Sequence, residues 1–211
     1  MASQLRTGSG TTADSPSVDA LWLEMLNRIC TRAAHELKGV LNGVSVNLEV
    51  VRSRSQKPDA PASAVNRYAI AAADQLGSLI TMTDALLSLA RPPKEPVEIG
   101  PVLRRIDALL APAAHADGRR LELEGPVDAL GVTPAPGNAT RMTIAASLLA
   151  AIDASTHVAC RAVIDNGELL LRIECRDGAT LVLDQDAVVA ANDSGIRMHA
   201  ESSAISISFP R

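Results

Sequence analysis

Between Val18 and Ser55 the apolar residues Leu26, Ile29, Ala33, Leu37, Leu41, Val44, Leu48 and Val51 recur every three or four positions. That spacing lays one apolar stripe along a single helix, on the order of 55 Å long. Gln56 to Pro61 interrupts it with Lys57-Pro58-Asp59-Ala60-Pro61, because proline cannot continue a helix and restricts the residue before it. A second helix is expected from a Ser63 cap to about Ala90, with its stripe at Val65, Ala69, Ala72, Leu76, Ile80, Thr83, Leu87 and Ala90. Two long helices joined by a short loop make an antiparallel hairpin. One hairpin alone leaves apolar surface in water, so two chains are expected to associate as a homodimer through a four-helix bundle.

After Pro92-Pro93-Lys94-Glu95-Pro96 the pattern becomes mixed. A helix is expected near 98–114, a strand at Arg119 to Glu124 and a helix from Asn138 to Ala154. Strands at Val158 to Asp165 and Glu168 to Arg176 flank Asn166-Gly167, a strong hairpin signal. Asp184 can cap a short helix, and Ala204 to Phe209 closes the chain as a strand. The fold class is therefore α+β: a long helical hairpin over residues 18–91 and a small two-layer α/β sandwich over 97–211, mostly antiparallel, with residues 1–17 as a flexible tail.

Composition narrows the function. The chain has 211 residues, 47% of them hydrophobic, yet Trp22, Tyr68 and Phe209 are its only aromatics, so its core is built from aliphatic residues and alanine. A net charge of -4, with basic and acidic residues interspersed, gives no reason to bind nucleic acid or an anionic membrane. No apolar run is long enough to span a bilayer, and the first residues lack a signal-peptide core. Cys30, Cys160 and Cys175 show no CxxC spacing, which fits a reduced, cytoplasmic protein. No His/Cys/carboxylate cluster points to a metal.

The candidate chemistry sits at His35. At about 100° per residue its side chain falls nearly opposite the first apolar stripe and is expected in water. A solvated neutral imidazole is a competent nucleophile, and the adjoining Glu36 can orient it or take its proton. Arg28, Arg32, Gly39, Asn42 and Gly43 fall on or beside the same face, with Lys38 flanking it. Glycine within a helix costs about 1 kcal/mol relative to alanine. Gly39 and Gly43 therefore either leave room for a partner to approach the imidazole or mark a kink.

His35-Glu36-Leu37-Lys38 in a long amphipathic helix resembles the phospho-acceptor box of sensor histidine kinases. The resemblance continues through Leu89-Ala90-Arg91, Glu95-Pro96-Val97-Glu98-Ile99, Gly118 to Gly125 and the terminal Phe209-Pro210. It implies an ATPase-like fold for the second region, with ATP held by an asparagine helix, an Asp-x-Gly-x-Gly turn and a glycine-rich lid. Against that pattern the helix reads Ser147-Leu148-Leu149-Ala150-Ala151-Ile152, so Ala151 stands where a Mg²⁺-binding asparagine belongs. An alanine offers a hard cation no oxygen. The turn reads Asp177-Gly178-Ala179-Thr180-Leu181, and no second glycine-rich motif follows between Leu183 and His199.

A helical hairpin with a degenerate ATPase-like domain resembles the histidine phosphotransferases derived from such kinases. That resemblance implies a phosphoryl carrier acting through His35, without ATP-dependent autophosphorylation. Its partners would be response-regulator or hybrid-kinase receiver domains, and any Mg²⁺ would be held by the receiver. Arg32 and Lys38 can supply positive charge to the phosphoryl oxygens. Gly39 replaces the Thr/Asn that positions a hydrolytic water in bifunctional relatives, so phosphatase activity is not expected. The alternatives are a non-catalytic pseudokinase adaptor that binds receivers or kinases, and an active histidine kinase with an aberrant site.

Overall fold

The computed structural model describes residues 16–57, 61–165 and 168–211. The tail expectation thus falls almost entirely outside the described residues, as does the Asn166-Gly167 turn. Two helices, α1 (Val18–Ser55) and α2 (Ala62–Ala90), form the hairpin. Ser17 starts α1 by accepting a hydrogen bond from the Ala20 N–H at 3.2 Å. The helix then runs unbroken through Gly39 and Gly43. Ser63 does not cap α2: Pro61 occupies the cap position and no side chain accepts from the first turn. Proline fills that place because its missing N–H would be orphaned there in any case.

The remaining elements are β1 (Val97–Glu98), α3 (Ile99–Ala116), β2 (Arg120–Glu124), a 3-10 turn at Val127–Leu130, β3 (Val132–Thr133), α4 (Gly137–Ala154), β4 (His157–Asp165), β5 (Glu168–Cys175), α5 (Gln185–Asp193), β6 (Arg197–Ala200) and β7 (Ala204–Ser208). The chain is α+β, as its pattern predicts. The main sheet has the order β2-β4-β5-β7-β6, with β2 and β4 parallel and the other pairs antiparallel. Asp165 opposes Glu168 across the β4–β5 hairpin, the register a two-residue connection demands. Asp184 caps α5 through the Asp186 N–H at 2.9 Å.

Alternation along the strands gives the sheet two unlike faces. Leu171, Ile173, Cys175, Ile205 and Ile207 are buried. The intervening Arg172 and Glu174 belong to an ion-pair network that links Arg161, Arg176 and Glu201. The apolar face is covered by helices: α3 lies on β2, α4 on β4 and β5, and α5 on α4 and β6. The lower half of the hairpin then covers those helices, with α1 against α3 and α4, and α2 against α3. Residues 97–211 form the expected two layers, and the hairpin adds a third at this point. The reason is α4, whose Met142, Ile144, Leu148, Leu149, Ala151 and Ile152 are buried around its whole circumference. A helix that is apolar all round needs packing on both sides, and the hairpin supplies the second.

Inside the hairpin the shielded positions of α2 include Val65, Tyr68, Ala72, Gln75, Leu79, Met82, Leu86 and Leu89, spaced as in a coiled-coil seam, with Ala85 buried beside them. This differs from the expected stripe. Leu76, Ile80 and Leu87 are 47%, 54% and 50% exposed, as are Leu41 and Leu48 of α1 at 49% and 54%. The most apolar stripes thus lie on the outside of the single hairpin.

Asp107 of α3 is mostly buried, and one of its carboxylate oxygens has no hydrogen-bond partner. Desolvation raises its pKa from an ordinary value near 3.8 to about 6. The folded state then holds a proton between roughly pH 4 and 6 that the unfolded state has released, so stability falls as pH rises through that window. Asp107→Asn is expected to stabilise the protein at pH 7 by roughly 2–3 kcal/mol, with the gain vanishing below about pH 4. Thermal unfolding across pH checks this; a gain independent of pH would contradict it.

Candidate functional site

α1 carries the candidate nucleophile past the edge of the three-layer region. Its buried residues are Leu21, Trp22, Met25, Ile29 and Ala33, so it is anchored up to the turn that holds His35. His35 itself is solvent-exposed, as are Lys38, Gly39 and Asn42, while Glu36 is half-buried. A side chain added at Gly39 would meet nothing within 4 Å. The open face expected around the imidazole therefore exists over these residues.

Three of the expected face residues are elsewhere engaged. Gly43 points into the hairpin, where a Cβ would collide with the Gln75 side chain, and Gln75 accepts a hydrogen bond from Asn47 at 3.0 Å. Gly43 makes room for an amide of α2, so it is not part of the face that presents His35. Arg28 and Arg32 reach back to α4, where both pair with Asp153, the former at 3.1 Å. These groups are a third to a half exposed, so such pairs are worth at most about 1 kcal/mol each. Their effect is positional: one turn before His35, α1 is pinned to the end of α4. Asp153 is the partner that sequence reading missed. An acid at the end of a helix reads as surface, and nothing local reveals two arginines more than a hundred residues away.

The region in which the resemblance places a nucleotide is filled differently. Ala151 is fully buried in the core. Ser155 Oγ and the Ala179 N–H donate to one oxygen of Asp177, and the Thr156 N–H and hydroxyl donate to the other, at 2.7–3.2 Å. The Thr156 amide leads these bonds in holding the Asp177 carboxyl well below the usual carboxylate range. Asp177 thus closes the turn after β5, its carboxylate engaged by the chain's own donors. A cavity of about 320 Å³ remains between α1, α4 and residues 179–184. Its charged lining is Asp153, Asp184 and Arg28. Two carboxylates and a cation that is already paired make a poor cradle for a polyphosphate. No cluster of potential metal ligands occurs among the described residues.

The cysteines are unpaired; Cys160 and Cys175 are buried. Burial is the chief influence pushing the Cys160 and Cys175 thiols up, which argues against either as a nucleophile. No described helix is long and apolar enough to cross a membrane.

No protein-family model matches the chain, and no curated protein does. Among solved structures the chain is similar to the Acinetobacter baumannii histidine kinase AdeS, at 12% identity over 83% of this chain and 97% of that one, with a TM-score of 0.38. So loose a likeness carries neither residue correspondences nor an activity from that protein to this one.

Proposed function

We propose that the protein is a histidine phosphotransferase, which takes a phosphoryl group from a receiver-domain aspartate onto His35 and passes it to another. The observation that carries this reading is a contrast within one molecule. His35 stands in solvent with an open face around Gly39, while Asp177 and Ala151 serve the chain's own turn and core. A nucleophile is presented, and the groups that would feed it from ATP are not. In transfer, an imidazole nitrogen of His35 attacks phosphorus in line as the aspartyl oxygen leaves, and the reverse step reloads a second aspartate. The receiver brings Mg²⁺ to the phosphoryl oxygens. Lys38, exposed and one turn along α1 from His35, adds positive charge.

The wild-type protein is expected to acquire acid-labile, alkali-stable label from a panel of phosphorylated receivers and none from labelled ATP with Mg²⁺. His35→Gln is expected to remove the labelling while leaving circular dichroism unchanged, because an exposed side chain contributes little packing. Binding of receivers without label on the wild type would mark an adaptor. Label from ATP alone would mark a kinase. Either result ends the proposal.

The outward stripes of Leu41, Leu48, Leu76, Ile80 and Leu87 favour a homodimer, in which two hairpins cover one another as a four-helix bundle. Light scattering is expected to give twice the chain mass at micromolar concentration. Leu76→Glu, already half in water in the single chain, is expected to yield a folded monomer by placing a charge in the apolar seam. A wild-type monomer would refute the bundle.

A further inference from the structure

The segment that joins the hairpin to the sheet encloses a second cavity, of about 520 Å³, on whose wall Arg91, Lys94, Arg105 and Arg141 converge. Glu98 is the one carboxylate on that lining. An adjoining cleft of about 600 Å³ shares Arg91 and Arg105 and carries Asp84; its Arg104 is already paired with Asp128 at 2.6 Å. Among the described residues, Arg91, Lys94, Arg105 and Arg141 have no carboxylate within ion-pair distance.

Arg141 makes this arrangement unusual. It is 5% exposed. Its terminal nitrogens donate to the carbonyls of Ser88, Leu89 and Arg91, and its Nε is buried with no partner. A buried cation is ordinarily neutralised by an acid, yet here the nearby charged group is a second arginine, Arg105. Four cations against one carboxylate, around a hollow, are held together at a cost that an anion would relieve.

We infer that this cleft binds a small, multiply charged, phosphate-bearing anion. Arg105 and Lys94 meet its oxygens, Arg91 flanks it, and Arg141 supplies positive potential from the buried side. The guanidinium fork suits phosphate geometry, and the volume suits a ligand of pyrophosphate to nucleotide size. Because the wall is built from the end of α2, the linker and α3, with Arg141 of α4 behind it, an occupant would tighten the joint between hairpin and sheet. The inference is independent of the role of His35.

The test is calorimetric titration of the full-length protein with inorganic pyrophosphate at constant ionic strength, with sulfate as control and ADP as a parallel arm. Pyrophosphate or ADP is expected to bind saturably, one per chain, about tenfold or more tighter than sulfate, and to raise Tm. Lys94→Glu, at an exposed linker position, and Arg105→Ala are each expected to weaken binding by about tenfold or more. Lys94→Glu alone suffices if Arg105→Ala does not fold. Pyrophosphate preferred over ADP identifies a free anion, and the reverse a nucleotide phosphate chain. Heats no larger than those of sulfate, or Lys94→Glu binding as the wild type does, would overturn the inference.

Discussion

A buried guanidinium anchors the joint between the two parts of this molecule, where α1 and α2 pack on α3 and α4. The last carbonyls of a helix have no partners within it and carry the negative end of its dipole. Arg141 of α4 answers those of α2, donating to Ser88, Leu89 and Arg91 at 2.8–3.4 Å. Trp22 of α1 lies beneath the same guanidinium, 5.8 Å from its ring centre. One side chain thus touches both helices of the hairpin from a helix that packs on the sheet. Asn138 to Asp19 at one end of α4, and Asp153 to Arg28 and Arg32 at the other, repeat the attachment to α1. At the start of α4, Gly137 lets the linker's Pro93 approach where any Cβ would collide with its ring.

That attachment bears on chemistry. Where the hairpin covers α4, a cavity of about 320 Å³ remains, with Arg28, Asp153 and Asp184 as its charged lining. α4 is filled with alanines and leucines that pack, Ala151 among them. At His35 α1 leaves the helices on the sheet: Arg28 and Arg32 are paired with Asp153 of α4, and beyond them α1 runs against α2 alone, with His35 on its exposed side. An exposed imidazole on a long helix anchored at one end fits the proposed exchange with an outside partner better than delivery from within.

Much of this architecture was legible in the chain. Proline runs, helix-period stripes and the Asn166-Gly167 signal located the hairpin helices, α3, α4, α5 and the long strands to within a few residues. The two-residue β1 and β3 and the edge strand β6 carry too little alternation to be read. The seam within one hairpin is not legible in the sequence, for a physical reason. Its inner positions include Gln75 on α2, which meets Gly43 and hydrogen-bonds Asn47 of α1, and Tyr68, which lies under Arg54 of α1. The more apolar Leu76, Ile80 and Leu87 therefore drew attention to the outer face. At the site, the exposure of His35 followed from periodicity alone. The roles of Asp153 and Arg141 did not, since each depends on partners far away in sequence.

The account rests on α4 making hairpin and sheet one cooperative body, and amide hydrogen exchange tests that most directly. Amides in the last turns of α2 and in α4 are expected to open with the same, slowest rates in the wild type. Arg141→Gln is expected to accelerate both sets in step, because the joint and the core would yield together. If the end of α2 exchanges much faster than α4 in the wild type, hairpin and sheet are independent units, and α4 is not the helix that joins them.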